Sequence, residues 1–166
     1  PAMTTASAVA QHGCSWAGVA LKLQSALDMA TPLGDSYWPS SHNSYNSTAY
    51  PGLSSSGDPN QTLTVADQLS VGIREIEYDV HWFTHTASGG NAPVLCHARG
   101  ASQQHLGCGA TDRHLRDGLA EIKAFLDNPA HANEVVMLDI ENNLADFVFP
   151  NGSTTNDAAH TTVAQL

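Results

Sequence analysis

The residues of this chain with chemistry to offer fall in four short polar islands. They are Ser-His-Asn-Ser-Tyr at 41–45, Glu-Ile-Glu-Tyr-Asp-Val-His at 75–81, Val-Leu-Cys-His at 94–97 and Val-Val-Met-Leu-Asp-Ile-Glu-Asn at 135–142. Asn43, Glu77, Asp79 and Glu141 offer carbonyl and carboxylate oxygens, the ligand set that suits a hard cation, calcium before magnesium. Cysteine and histidine do not dominate the set, so zinc fits it less well. Three carboxylates in one site would repel one another without a cation, which makes such a metal structural as well as catalytic. His42 and His97 add imidazoles, which exchange protons near neutral pH.

These groups need elements to hold them. From Gly72 to Phe83 the residues alternate, with Ile76, Tyr78 and Val80 on one side and Glu75, Glu77, Asp79 and His81 on the other, the period of a strand. Further strands are expected at about 36–42, 93–97 and 134–141, with Ala87 to Ala92 as a Gly-Gly-Asn turn. The apolar run from Glu134 to Ile140 predicts a strand buried on both faces, as in a parallel sheet covered by helices. Trp16, Val19, Ala20, Leu23 and Leu27 predict a helix over 16–29, ended by Thr31-Pro32 and Gly34. Thr64 caps a short helix through Leu69 that Gly72 ends. A third helix over 112–126 turns Leu115, Leu119, Ile122 and Phe125/Leu126 inward, and Asn128-Pro129 stops it. Residues 46–62, rich in Ser, Gly, Pro and Asn, read as a surface loop, and the tail after Phe149 as loop.

Strands alternating with helices point to a parallel α/β architecture with its polar residues at the carboxyl ends of the strands, the edge where a (β/α)8 TIM barrel carries its active site. Four strands are half of what such a barrel needs, and it takes about 250 residues. The 166 residues are therefore read as one domain, the amino-terminal half of a barrel, with 1–34 a helical lead-in and 35–150 the core.

Six basic against 16 acidic residues give a formal charge of −10, which argues against an electrostatic grip on nucleic acid or an anionic membrane. No apolar run is long enough to span a bilayer, and the start at Pro1 reads as that of a processed product or trimmed sequence. Asn46, Asn60 and Asn151 are glycosylation acceptors of a kind that fits a secreted glycoprotein. Cys96 and Cys108 enclose a short loop and are placed to pair, leaving Cys14 odd.

The order His-Asn, Glu-x-Asp, His, Leu-x-x-Glu-Asn over residues 36–143 resembles the phosphatidylinositol-specific phospholipase C family. His42-Asn43 looks like the first catalytic histidine with the asparagine of the calcium-dependent members, and Gly72, Arg74, Glu77 and Asp79 follow the family's Gly-x-Arg-x-x-Glu-x-Asp strand. Asp79 stands where the calcium-independent enzymes carry arginine, His97 resembles the second catalytic histidine, and Glu141 the last metal ligand. Glu75, and the Ala-Arg-Gly after His97, depart from the usual pattern.

The resemblance implies a secreted, calcium-dependent phosphodiesterase in which the inositol 2-hydroxyl attacks phosphorus, expelling diacylglycerol and leaving a cyclic phosphodiester. His97 would be the acid, His42 would hold the phosphoryl oxygen, and the base would be Glu77, Glu141 or His42 itself. Its partners would be a phospholipid or other phosphodiester head group, a transiently contacted membrane surface and a carboxyl-terminal half-barrel. A glycerophosphodiesterase or sphingomyelinase D-like enzyme would use similar residues, though those relatives usually lack an asparagine after the first histidine. A secreted module that binds calcium or a sugar phosphate without turnover is the reading from another class. His81, His85, His105, His114, His131 and His160 are read as surface or structural, Arg74 as the partner of an acidic neighbour, and Trp82 and Phe83 as packing.

Overall fold

The computed structural model describes residues 5–28, 30–50, 59–97 and 108–144. It is a mixed α/β structure whose curled sheet is compatible with half of a TIM barrel. Two helices lead in, α1 (Thr5–Gly13) and α2 (Trp16–Asp28), followed by a 3-10 turn at Leu33–Asp35. Then come β1 (Ser40–Ser41), α3 (Val65–Val71), β2 (Glu75–His85), β3 (Gly90–Leu95), β4 (Arg113–His114), α4 (Leu115–Leu126), a 3-10 turn at Pro129–His131, and β5 (Met137–Asn143).

The long strand β2 is the hub. Its first residues pair in parallel with β1, Ser40 opposite Glu75, and its other edge pairs in parallel with β5 from Glu75 opposite Met137 to His81 opposite Asn143. The strand at 93–97 departs from the parallel expectation. β3 folds back on β2 as an antiparallel hairpin, Val80 opposite Leu95 and His85 opposite Gly90. The connection at 86–89 is too short for a parallel crossover, which needs a dozen residues or more. Gly89, with φ 65°, completes the tight turn in a conformation glycine adopts without steric cost. Among the described residues, β1, β2, β5 and the two-residue β4 therefore run in the barrel's direction, and β3 runs against it.

The alternation along β2 is borne out. Ile76, Tyr78 and Val80 are buried in one core with Val65 and Leu69 of α3, Leu95 of β3, and Leu115, Ile122 and Phe125 of α4. α4 lies so close that a Cβ at Gly118 would stand 2.8–2.9 Å from Leu95 and Tyr78 side-chain atoms, which explains the glycine within a helix. The Thr64 cap forms, its Oγ1 accepting from the Asp67 N–H, and Gly72 ends α3 at φ 110°. Arg74 pairs with Glu134 at 2.8 Å and lies over the Phe125 ring, the structural role expected of it.

The helix expected over 16–29 forms as α2; its stripe Trp16, Val19, Leu23 and Leu27 faces solvent, while Leu21 lies against Gly72. One expectation about burial fails. β5 is not covered on both faces: Met137 and Ile140, with Val135 just before it, are exposed, and among the described residues β5 pairs with β2 alone. Cys96 and Cys108 form a disulfide and Cys14 is free and exposed. No helix among the described residues is long and apolar enough to cross a membrane. Asn151, His105, His160 and the tail after Phe149 lie outside the described residues, as do 51–58 of the expected surface loop.

Candidate active site

The loop that follows β1 is stitched to β2 one residue at a time. The Asn43 N–H donates to Glu77 Oε2 at 2.8 Å and the Ser44 N–H to the Glu77 carbonyl at 3.1 Å. In return the Glu77 N–H donates to Ser44 Oγ at 2.9 Å, while Ser44 Oγ donates to the Ser41 carbonyl. This exchange continues the sheet beyond the two residues of β1. It explains why a serine-rich segment with weak strand propensity holds its place: the serine hydroxyls supply local bonds that the backbone lacks.

At the mouth of β2, the carboxylates of Glu77, Asp79 and Glu141 each bring an oxygen within 4.8 Å of the others. Sheet register does this, because parallel pairing sets Glu77 opposite Asp139 and Asp79 opposite Glu141 on one face. Asp79 is 4% exposed; Glu77 is partly shielded and Glu141 open to solvent. Burial pushes the Asp79 carboxyl up to about 6; Glu141 and Glu77 push the same way, whereas the Tyr45 hydrogen bond and nearby His97 pull it down.

Asn43 joins this group through Tyr45. The Tyr45 hydroxyl lies 2.9 Å from Asp79 Oδ2 and 3.5 Å from Asn43 Oδ1, and its single proton goes to the nearer, charged acceptor. Burial above all, and then Asp79, hold the Tyr45 phenol far above its ordinary range, so it stays a donor. The Asn43 amide nitrogen donates to Asn60 Oδ1 at 3.2 Å, which fixes the side on which its oxygen lies. Asp79 Oδ1 is buried and has no hydrogen-bond partner among the described residues.

An orphaned buried carboxylate oxygen within a ring of carboxylates fits a hard cation, since an oxygen removed from water without a partner costs about 1–3 kcal/mol or more. Asn43, Glu77, Asp79 and Glu141 are the residues that would hold it.

The two histidines flank this cluster. His42 is 70% exposed at the side chain, with Nε2 3.9 Å from Glu77 Oε2, and Gln61 donates to its carbonyl at 2.7 Å. His97 follows β3 and acts electrostatically on Asp79. The hairpin therefore does what the expected parallel strand was meant to do, returning the chain to the mouth of β2. His81 is buried on the same face as Asp79, and an imidazole nitrogen lies within 4.8 Å of the Cys96 and Cys108 sulfurs. His85 and His114 are buried against each other, ring centroids 3.7 Å apart with the rings tilted by 50°, and neither belongs to the carboxylate cluster. His131 stacks on Phe125, a structural role as expected.

The sequence reading does not find one residue with a part in the site. Tyr45 was read only as part of a polar island; nothing in its spacing tells that its hydroxyl reaches Asp79. Of the glycosylation acceptors, Asn46 is buried and its amide donates to Asn60 Oδ1 at 3.0 Å, so it is not presented to solvent.

A half-barrel sheet that gathers carboxylates on one face of its central strand, with histidines on the segments beside them, fits a phosphodiesterase-type fold, and the comparisons agree. The chain belongs to the PI-PLC-like family: the family described as the Rv2075c PI-PLC-like domain matches residues 2–160. Two curated Mycobacterium tuberculosis proteins, uncharacterized protein Rv2075c of strain H37Rv and uncharacterized protein MT2135 of strain CDC 1551, are each similar at 34% identity over 131 residues. That covers 78% of this chain and 27% of each relative, so the chain spans about a quarter of the length of the curated relatives it matches. No solved structure matches the chain.

Proposed function

We propose that this chain carries the metal-binding and histidine half of a secreted, calcium-dependent phosphodiesterase that cleaves phosphatidylinositol or a related phosphodiester to diacylglycerol and a cyclic inositol phosphate. The complete (β/α)8 barrel would be closed by a carboxyl-terminal half from the same precursor or another chain. The observation that carries the reading is the buried Asp79 Oδ1, without a hydrogen-bond partner among the described residues, beside the carboxylates of Glu77 and Glu141. The Cys96–Cys108 disulfide fits an oxidising compartment.

Bound at this mouth, calcium would offset the charge that builds on the phosphoryl oxygens. The remaining work falls to side chains. His97 protonates the leaving alkoxide of the diacylglycerol, so it must enter the cycle as imidazolium. His42, exposed at the rim and beside Glu77, holds a phosphoryl oxygen through its Nε2–H. The proton of the attacking 2-hydroxyl goes to a carboxylate. Glu77 and Glu141 are the two choices: Glu141 is the more open to solvent, and each already accepts one hydrogen bond, Glu77 Oε2 from the Asn43 N–H and Glu141 Oε1 from the Asn143 amide. The lipid substrate brings the protein into transient contact with a membrane surface, where attraction to anionic head groups is opposed by the charge of −10.

The test uses the full-length protein and vesicles of phosphatidylcholine containing phosphatidylinositol. Cyclic inositol phosphate should appear with calcium, and chelation should abolish it. Release of free choline from matching vesicles made with sphingomyelin, and no cyclic product, would move the chain to the sphingomyelinase D-like reading. Calcium binding without any turnover would leave a binding module.

A further inference from the structure

Resting on the calcium reading above, we infer that Tyr45 is a positioning residue that commits one oxygen of Asp79 to the protein and leaves the other for the cation. The Tyr45 hydroxyl donates to Asp79 Oδ2 at 2.9 Å, while Asp79 Oδ1 has no hydrogen-bond partner among the described residues. A carboxylate so held offers a single oxygen in a fixed direction. Left without that donor, it would rotate about its last bond and present either oxygen or both, because this torsion has broad wells.

Three further features make Tyr45 a rigid support. Its ring is 2% exposed and packs edge-on against Tyr78, ring centroids 6.2 Å apart, so the hydroxyl cannot swing away. The two residues before it are tied down, Asn43 through its N–H to Glu77 and Ser44 through its carbonyl, which accepts from the Gln68 amide at 2.8 Å. The same hydroxyl stands 3.5 Å from Asn43 Oδ1, so one oxygen atom sets the spacing of two proposed ligands on different elements. Groups bonded to metal ligands commonly change affinity by about 10–100-fold when removed, because they fix orientation.

Tyr45→Phe removes one oxygen and keeps the ring. The measurement is calorimetric titration of the full-length wild type and variant with calcium chloride, together with melting of each in chelator. Calcium affinity should fall about 10-fold or more in Tyr45→Phe. Tyr50→Phe is the control, since Tyr50 bonds Glu121 and the Val65 N–H and should leave affinity unchanged while lowering the chelated melting temperature. A Tyr45→Phe protein with lowered melting temperature and wild-type affinity would overturn the inference and make the hydroxyl purely structural. Absence of calcium binding by the wild type would overturn the calcium reading itself. Should the variant fail to fold, Asp79→Glu in an intact Tyr45 background asks the same question; affinity equal to wild type would overturn a fixed single-oxygen geometry.

Discussion

Asp79 of β2 and Glu141 of β5 are register partners across a parallel pairing, so the hydrogen bonds that join the two strands also press two carboxylates together at their mouth. The sheet gains its pairing at the cost of like-charge repulsion, which either a proton or a cation relieves.

Calcium should therefore raise the melting temperature of the full-length protein, by mass action on the folded state. In chelator, Asp79→Asn should melt at or above wild type, because the variant removes a buried charge whose carboxyl the fold already holds up at about 6. With calcium the order should reverse. Calorimetric scans with and without the ion decide it, and an Asp79→Asn protein with a full calcium response would refute the ligand set.

His97→Ala should reduce turnover of phosphatidylinositol by about 100-fold or more, the scale of a lost general acid. Substrates whose leaving group needs no proton should suffer much less. Equal losses on both kinds of substrate, measured as kcat/KM, would take His97 out of the acid role.

Acidification should destabilise the fold through His114. Burial first, and then neighbouring His85 and Arg116, lower its proton affinity in the folded state, while Asp117 pulls the other way. The unfolded chain then binds the proton more readily, so this contribution is present above about pH 6.5 and lost as pH falls below it toward the depressed folded value. Asp79 and Asp112, both raised by burial, tilt stability the opposite way. The measurement is hence a difference: between pH 7.5 and 5.5 the melting temperature of His114→Gln should fall less than that of wild type.

Residues 1–166 expressed alone should self-associate. Among the described residues β5 presents an open edge and exposed Met137 and Ile140, and open apolar edges pair with whatever strand is available. Light scattering on the eluted fragment tests this, and a monomeric fragment with full activity would refute the need for a second half.

What was legible in the sequence was the face of each strand. Glu77 and Asp79 share a face by period alone, and Thr64 and Gly72 mark the ends of α3 by their own conformational preferences. Direction was not legible: β3 reads as a strand whichever way it runs, and only the shortness of the 86–89 connection carried the answer. Burial was misjudged where it depends on a partner. Ile140 and Leu23 have the spacing of core residues, and spacing cannot tell whether the surface that would cover them is present. The Tyr45–Asp79 bond joins residues 34 apart, a distance over which no local pattern speaks.

Asn43 adopts φ 48°, on the left-handed side of the backbone map, where asparagine and glycine sit with least strain. Its identity is therefore chosen twice, by the amide that faces Asp79's partner and by the turn that aims its own N–H at Glu77. Alanine scanning would confuse the two demands, since alanine loses the amide and resists the turn. Glycine separates them, keeping the turn while deleting the side chain. Anyone transplanting this loop onto another scaffold must carry the backbone conformation across before the side chains can bind anything.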